Sequence, residues 1–293
     1  MGNMVLFPAP APSYRDMPGL VWDKDEYGEE RPFLHLQVDS LVTLVHLHGN
    51  SCDLGHIELE LRELSVALSL NILAVEYPGY GCNTSPLSPD AIDDAVAHAL
   101  SYLTKKCVVD PQAIFLFGRS IGSGPAVKAA FDAAKRKQGF GGVVLQSPYT
   151  SIHNVASEYS SMASFFVSNH WDSLELLRSP VMRTTPLLVI HGRMDDVIPF
   201  SHGQQLYDEA SCEHKHNEFP ELSTHNEWEL YLDVVLPLLK FIQLYRPAVP
   251  QQTRRKSVKS KAHRPPKAQG APVVPPLVFP PAGDMDTPCP SVG

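Results

Sequence analysis

The sequence predicts an α/β fold in which helices cover both faces of a mostly parallel central sheet. Five short apolar runs have the length and the β-branched content of buried strands, and helical patterns lie between them. Because such strands are joined by helical crossovers, they are expected to pair in parallel. The runs are LVTLVHL at 41–47, NILAVEY at 71–77, AIFLF at 113–117, GVVLQ at 142–146 and PLLVI at 186–190.

Helices are predicted after the first two strands and again near the end of the domain. Apolar residues recur at helical spacing over 57–68, and Asp53 is a candidate N-cap for this helix. Ser88 is followed by proline, which is typical of an N-cap and the first position of a second helix. An amphipathic pattern over 230–244 predicts the closing helix.

The predicted α/β domain spans residues 19–245 and follows an extended lead-in over residues 1–18. An insertion over 147–185 separates the last two apolar runs, and its five aromatic residues predict a small cap over the site. The alternative is an ordinary connection with one helix packed on the sheet. Residues 246–293 form a basic tail with 11 prolines, which carries too little apolar sequence to fold alone.

Charge is distributed unevenly between the domain and the tail. Residues 1–245 carry 16 basic and 30 acidic residues, so the domain is expected to bind nucleic acid poorly. The tail carries eight basic and two acidic residues, which predicts a weak contact with an acidic membrane surface. A myristoylated Gly2 would add a second contact, although Leu6 stands where serine or threonine is usual. The alternative is a tail without a binding role.

The sequence predicts a cytoplasmic protein, peripheral on the cytoplasmic face of a membrane where the tail or Gly2 makes contact. The five cysteines form no C-x-x-C pair, which fits free thiols in a reducing compartment. No apolar run approaches the roughly 20 residues that span a bilayer, and the N-terminus lacks the pattern of a secretory signal.

Ser120 lies in FGRSIGSG, residues 117–124, between an apolar run and an alanine-rich helical stretch. This context suits the G-x-S-x-G turn, in which glycines permit a tight backbone and the serine side chain is lifted out. Chance supplies the motif in roughly one of ten chains of this length, so a serine that merely opens a helix is the alternative. A nucleophilic role requires a base, an acid and oxyanion donors.

Candidates for the acid and the base follow later strands in the expected order Ser, Asp, His. Asp195 lies in HGRMDD just beyond the fifth apolar run, and His225 lies thirty residues later in STHNEWELY. We prefer Asp195 to Asp196 as the acid, because Asp195 falls in the H-G-x-x-D pattern. Asp196 is expected to cap the following turn.

The backbone N–H groups of Asn50 and Ile121 are the candidate oxyanion donors. Asn50 ends the HGN sequence after the first strand, and Ile121 follows the serine. His46 and His48 share one face of that strand and could form a metal pair. No third ligand follows at a sensible spacing, so structural roles are predicted for both. No metal or other cofactor is expected.

Six motifs in this order resemble the α/β-hydrolase fold and, within it, the branch called α/β-hydrolase domain-containing protein 17, whose members act as protein depalmitoylases. Prolyl oligopeptidase-like peptidases share the same motifs. The resemblance covers residues 4–245 and implies that Ser120 is the nucleophile, Asp195 the acid and His225 the base. The motifs are HGN at 48, YPGYG at 77, GRSIGSGP at 118, QSPYTS at 146, HGRMDDVIPFSHG at 191 and STHNEWELY at 223.

The resemblance implies a serine hydrolase that cleaves an ester or thioester, with a protein S-palmitoyl thioester as the first substrate. Small acyl or lipid esters and peptides are the alternatives. An adaptor that uses the same fold without catalysis and recruits partners through its tail is the alternative from another class.

Two features of the sequence depart from the pattern of the branch. The first cysteine is Cys52, whereas the branch has a cysteine-rich, palmitoylated N-terminus, and Arg119 stands where the branch has a neutral glutamine.

Overall fold

A single mixed sheet lies at the centre of residues 9–159 and 170–248, the ranges that the computed structural model describes. Its strands are β1 Leu20–Lys24, β2 Glu30–Leu36, β3 Thr43–Leu47, β4 Asn71–Val75, β5 Ile114–Arg119, β6 Gly142–Gln146, β7 Leu187–Ile190 and β8 Lys215–Glu218. The order across the sheet is β1-β2-β4-β3-β5-β6-β7-β8. β2 is antiparallel to both of its neighbours, and the other neighbouring pairs are parallel.

Helices cover both faces of this sheet, which confirms the predicted fold class. The α-helices in the described ranges are α1 Leu54–Leu68, α2 Pro89–Ser101, α3 Ser123–Lys135, α4 Ile152–Tyr159, α5 Ser173–Arg178, α6 Phe200–Glu209 and α7 Leu236–Tyr245. One apolar cluster lies under α2, α3, α5 and α6, and a second lies under α1 and α7. Successive residues of β3 point to opposite clusters, since Val45 and Leu47 join the first and Leu44 the second.

The five predicted strands form the middle of the sheet, as β3 to β7. Helices bury both faces of these strands, so their sequences are continuous apolar runs rather than alternating patterns. Both predicted N-caps are confirmed. The N–H of His56 donates to Asp53 Oδ1 at 3.1 Å at the start of α1, and the N–H of Ala91 donates to Ser88 Oγ at 3.1 Å at the start of α2.

The hairpin of β1 and β2 was not predicted. Its turn is stabilised by Asp25, whose Oδ1 accepts the N–H groups of Tyr27 and Glu29, both at 2.9 Å. Phe33 and Leu34 of β2 are buried, one in each apolar cluster. β1 is an edge strand with partly exposed residues, and β8, at the other edge, reads KHNE. Polar edges of this kind give a weak strand signal in the sequence.

The described part of the lead-in, residues 9–18, is docked on the domain. The N–H of Ser13 donates to Asp53 Oδ2 at 2.7 Å, and the Ser13 hydroxyl donates to Asp53 Oδ1. The Tyr14 hydroxyl donates to Glu76 Oε2 at 2.7 Å. Burial raises the pKa of Asp53, but hydrogen bonds from Ser13 and His56 outweigh it and leave the pKa below its ordinary value.

The predicted insertion over 147–185 is described only in part. Trp171, Leu174 and Leu177 are buried in the first apolar cluster, so the segment around α5 packs on the core. Phe165 and Phe166 lie outside the described residues, so the cap stays a prediction. Gly2 and the tail from residue 249 lie outside them as well. No helix in the described ranges is long and apolar enough to cross a membrane.

Replacing Asp53 tests this anchoring. Asp53→Ala should lower the free energy of unfolding by about 3 kcal/mol, because it removes a helix cap and the hydrogen bonds to Ser13. Ser88→Ala removes only a cap and should cost about 1 kcal/mol. Urea unfolding measures both losses, and equal losses would contradict an anchoring role for Ser13.

The contribution of Asp53 to stability should also depend on pH. Because the pKa of Asp53 is lowered in the fold, this contribution is present at pH values above its ordinary pKa of 3.8 and should disappear as the pH falls below that value.

Candidate active site

Ser120, Asp195 and His225 meet beyond the carboxyl ends of three parallel strands of the sheet. Ser120 directly follows β5, Asp195 lies in the turn after β7, and His225 lies in the loop after β8. Ser120 Oγ is 3.1 Å from His225 Nε2. His225 Nδ1 is 3.1 Å from Asp195 Oδ1 and 2.9 Å from Oδ2. The structure therefore brings together the three side chains that the sequence nominated.

The backbone at Ser120 is left-handed, with φ at +52°. A Cβ atom at Gly118 would lie 2.4 Å from the carbonyl oxygen of Gly122, so the turn leaves no room for a larger residue there. The Ser123 hydroxyl donates to the carbonyl oxygen of Ser120 at 2.7 Å, where the chain enters α3. This tight connection between β5 and α3 presents the Ser120 side chain beyond the carboxyl end of β5.

Asp195 is buried and accepts hydrogen bonds from both sides of its turn. Its Oδ1 accepts the N–H groups of Val197 at 3.0 Å and Ile198 at 2.8 Å. The turn is therefore capped by Asp195 itself, and the predicted capping role of Asp196 is wrong. The Asp196 side chain is exposed.

His191 is a further partner of Asp195 that sequence reasoning left as a generic structural histidine. Its Nε2 is 3.2 Å from Asp195 Oδ2 and 3.0 Å from the carbonyl oxygen of Ile198, and its side chain is fully buried. Burial raises the pKa of Asp195, but hydrogen bonds from His191 and His225 outweigh it and hold the pKa far below its usual range. The sequence signal was present, since His191 opens the HGRMDD motif.

The HGN loop after β3 packs directly against the turn at Ser120. A Cβ atom at Gly122 would lie 2.2 Å from the carbonyl oxygen of Leu47, and one at Gly49 would lie 3.5 Å from Ser120 Cβ. The Tyr80 hydroxyl donates to Asn50 Oδ1 at 2.8 Å. The two loops that carry the backbone N–H groups of Asn50 and Ile121 are thus in contact. Their role as an oxyanion hole remains a prediction.

His48 stabilises the HGN loop through contacts of both ring nitrogens. Its Nδ1 is 2.8 Å from the carbonyl oxygen of Gly49, and its Nε2 is 3.2 Å from Glu76 Oε1. Burial lowers the pKa of His48, but hydrogen bonds with Cys52 and Glu76 outweigh it and raise the pKa to about 10. A protonated ring donates from both nitrogens, so His48 ties the loop to the buried Glu76 carboxylate.

His46 has a different environment from His48. It stacks on Phe117 with ring centroids 5.1 Å apart, and both of its ring nitrogens are buried without a hydrogen-bond partner. Burial lowers its pKa to about 3, so the ring is neutral and packs as an aromatic core residue. His46 in β3 and His48 just after it are therefore both held by structural contacts.

Asp90, Asp93 and His170 are close enough together to share a metal ion. His170 Nε2 is 3.3 Å from Asp93 Oδ2, and the indole N–H of Trp171 donates to Asp93 Oδ1 at 2.8 Å. These contacts join the insertion to α2.

The eight-stranded, mostly parallel sheet with helices on both faces has the architecture of the α/β-hydrolase fold. Residues 89–227 match the prolyl oligopeptidase family. The Pyrococcus furiosus esterase Pf2001 superimposes with a TM-score of 0.63 at 15% identity, over 81% of this chain and 99% of that one. A soluble variant of monoglyceride lipase from Saccharomyces cerevisiae superimposes with a TM-score of 0.63 at 12% identity, over 81% of this chain and 99% of that one.

The sequence is also similar to proteins that are named for this fold. It is 32% identical over 211 residues to the α/β-hydrolase domain-containing protein aho-3 of Caenorhabditis elegans, a match that covers 72% of this chain and 60% of that one. It is 31% identical to the human α/β-hydrolase domain-containing protein 17C, over the same shares of the two chains. The match thus spans about three fifths of the length of these curated relatives.

The left-handed backbone at Ser120 makes a stability prediction that is independent of catalysis. Ser120→Gly and Ser120→Ala both remove the hydroxyl, but only glycine adopts a positive φ without strain. Ser120→Gly should therefore be more stable than Ser120→Ala by about 1 kcal/mol in urea unfolding. At Ser123, where the backbone is helical, the order should reverse, since glycine weakens a helix by about 0.5 to 1 kcal/mol relative to alanine. The same order at both positions would argue against strain at Ser120.

Proposed function

We propose that the protein is a serine hydrolase that cleaves esters or thioesters through an acyl-enzyme intermediate. The observation that carries this proposal is the continuous chain of contacts from Ser120 Oγ through His225 to Asp195, with distances of 3.1 and 2.9 Å. A serine hydroxyl is a weak nucleophile by itself. A base within hydrogen-bond reach and a carboxylate that orients the base are the arrangement that activates it.

In the proposed first step, Ser120 Oγ attacks the carbonyl carbon and His225 Nε2 takes the hydroxyl proton. The carbonyl electron pair moves to oxygen, and the backbone N–H groups of Asn50 and Ile121 donate to the oxyanion. When the intermediate collapses, the bond to the leaving group breaks and His225 returns the proton to the departing oxygen or sulfur. Water then attacks the acyl-enzyme by the same route and releases the acid.

Asp195 would fix the tautomer of His225 throughout this cycle. The low pKa of Asp195 keeps it anionic at neutral pH, so it holds a proton on His225 Nδ1 and leaves Nε2 free to accept. The two backbone N–H donors and His191 hold the carboxylate in place while His225 gains and loses charge.

A protein S-palmitoyl thioester is the substrate that we propose first. The resemblance to the protein 17 branch, whose members are depalmitoylases, supports it, and a thiolate is a good leaving group. Small acyl or lipid esters come second, supported by the likeness in fold to an esterase and a monoglyceride lipase. Peptides come third, because an amine is a harder leaving group, although the match of residues 89–227 to the prolyl oligopeptidase family supports them as a candidate.

We also propose a cytoplasmic location with peripheral contact at a membrane. The basic tail would supply electrostatic attraction to acidic lipids, and an acylated Gly2 would supply a weak apolar anchor. Both segments lie outside the described residues. The acidic domain is a poor partner for nucleic acid, so the proposed partners are an acylated protein or a small acyl ester and the lipid surface.

A fluorophosphonate probe tests the proposed nucleophile. The native chain should label covalently, and Ser120→Ala should lose labelling and lower ester turnover by roughly 10⁴ to 10⁶. Asp195→Asn should lower turnover by about 10⁴-fold, because His225 would then adopt the wrong tautomer. Asp196→Asn is the control, and it should change turnover little because the Asp196 side chain is exposed. A folded native chain that never labels would favour the adaptor over the enzyme. Equal losses in the two aspartate variants would overturn the choice of Asp195.

Substrate preference is tested by comparing a palmitoyl-cysteine peptide thioester with a short-chain ester. The native chain should turn over the thioester with the larger kcat/KM, since the leaving thiolate is stabilised and the acyl chain adds apolar contact. Ser120→Ala provides the background rate for each substrate. A clear preference for the short-chain ester would replace the depalmitoylase proposal by the small-ester one.

A further inference from the structure

Arg119 is the residue before the proposed nucleophile, and its guanidinium contacts the loop that carries the proposed base. Arg119 Nη2 donates to the carbonyl oxygen of His225 at 3.1 Å and to Asn226 Oδ1 at 3.2 Å. These contacts join residues 106 and 107 positions apart in the chain. One side chain thus bridges the end of β5 and the backbone of the base.

The same guanidinium also lies over the ring of Trp228, 4.5 Å from the ring centroid. Arg119 therefore contacts this loop at His225, at Asn226 and at Trp228. A planar guanidinium suits this combination, because it donates from its edge while its face stacks on an aromatic ring. A neutral glutamine makes no cation–π contact, and a lysine lacks the planar group that stacks on the ring while its edge donates.

Arg119 also contacts the sheet and the HGN loop, in addition to the loop that carries His225. Its backbone pairs with Gln146 of β6, and a Cβ atom at Gly49 would lie 3.2 Å from Arg119 Nη1. Burial lowers the pKa of Arg119, while Cys52, Glu60 and Asp195 oppose that effect, and a guanidinium stays charged in proteins. The bridging group is thus a cation fixed between two loops of the site.

The loop after β8 is held to the turn after β7, where the N–H of Met194 donates to the carbonyl oxygen of Ser223 at 3.2 Å, but many of its residues are exposed. Glu221, Leu222, Asn226 and Glu227 are exposed on both sides of His225. Internal contacts, such as the donation from the N–H of Thr224 to the carbonyl oxygen of Glu227 at 2.9 Å, shape the turn but do not tie it to β5. Arg119 supplies that connection at the base itself.

We propose that Arg119 is a positioning residue that holds the backbone of His225, and so keeps Nε2 within hydrogen-bond distance of Ser120 Oγ. This inference rests on the proposed function, in which Ser120 and His225 act as nucleophile and base. A displacement of about 1 Å in a catalytic group costs on the order of 100-fold in rate. The expected effect therefore falls on the chemical step and not on the binding of substrate.

Arg119→Gln and Arg119→Lys test the proposal against a matched arginine elsewhere. Arg62 in α1 also donates to a backbone carbonyl, that of Pro18, at 2.6 Å, and lies away from the triad, so Arg62→Gln is the control. With a neutral p-nitrophenyl ester, Arg119→Gln should lower kcat by about 10- to 100-fold with KM unchanged, and Arg119→Lys should recover part of the loss. Arg62→Gln should match the native chain in both constants.

Labelling by the fluorophosphonate probe gives the same comparison per folded molecule. Arg119→Gln should react more slowly by the same factor and still label to completion, which separates slower chemistry from a smaller folded fraction. A rate within about twofold of the native chain would overturn the positioning role, because a 1 Å displacement predicts a far larger change. An increase in KM at constant kcat would also overturn it, in favour of a role in binding substrate.

A spectroscopic readout keeps this inference separate from the proposed function. In a proton NMR spectrum, the proton shared by His225 Nδ1 and Asp195 should give a far-downfield resonance in the native chain, and Asp195→Asn should remove this resonance. Arg119→Gln should broaden or remove the resonance as the loop moves, and Arg62→Gln should retain it. An unchanged resonance in Arg119→Gln would refute the positioning role even if the native chain hydrolyses nothing. Should Arg119→Gln not fold, Trp228→Leu removes one loop contact and undergoes the same measurements.

Discussion

The buried carboxylate of Asp195 is the constraint on which the candidate site depends. A buried charge is costly unless it is paired and hydrogen-bonded, and here the donors come from two segments of the chain. His191, Val197 and Ile198 lie within four residues of Asp195 in the turn after β7, and His225 belongs to the loop after β8. Satisfying one carboxylate therefore shapes the turn after β7 and fixes the loop after β8 relative to it. Ser120 then meets His225 because parallel strands end at the same edge of the sheet.

A second buried carboxylate plays the same part on the other side of the Ser120 turn. Glu76 accepts hydrogen bonds from His48 under the HGN loop, from the Tyr14 hydroxyl and from the N–H of Leu54 at the start of α1. Its network connects the lead-in, the first helix and the proposed oxyanion loop. The two carboxylates thus flank the nucleophile turn and order the loops around it, while the sheet supplies the rigid frame.

The sequence predicts those parts of this arrangement that depend on local pattern. Strands β3 to β7 could be read because both of their faces are buried and their residues are uniformly apolar. The hairpin of β1 and β2 could not, because its register depends on pairing with β4 and many of its residues are exposed. Residue order and motifs nominated Ser120, Asp195 and His225. The turn contacts of Asp195 and the bridge from Arg119 to His225 depend on which way side chains point after distant segments meet, and no local pattern carries that information.

The polar edge strands determine how this sheet can meet other molecules. In β1, Asp23 forms an ion pair with Lys106 at 2.6 Å, and Lys24 is exposed. In β8, Lys215 Nζ donates to the carbonyl oxygen of Asp208 at 2.8 Å, and the Asn217 side chain is exposed. A strand added by another chain at either edge would have to desolvate these groups. The polar groups of β1 and β8 therefore disfavour pairing of either edge strand with a strand of another chain.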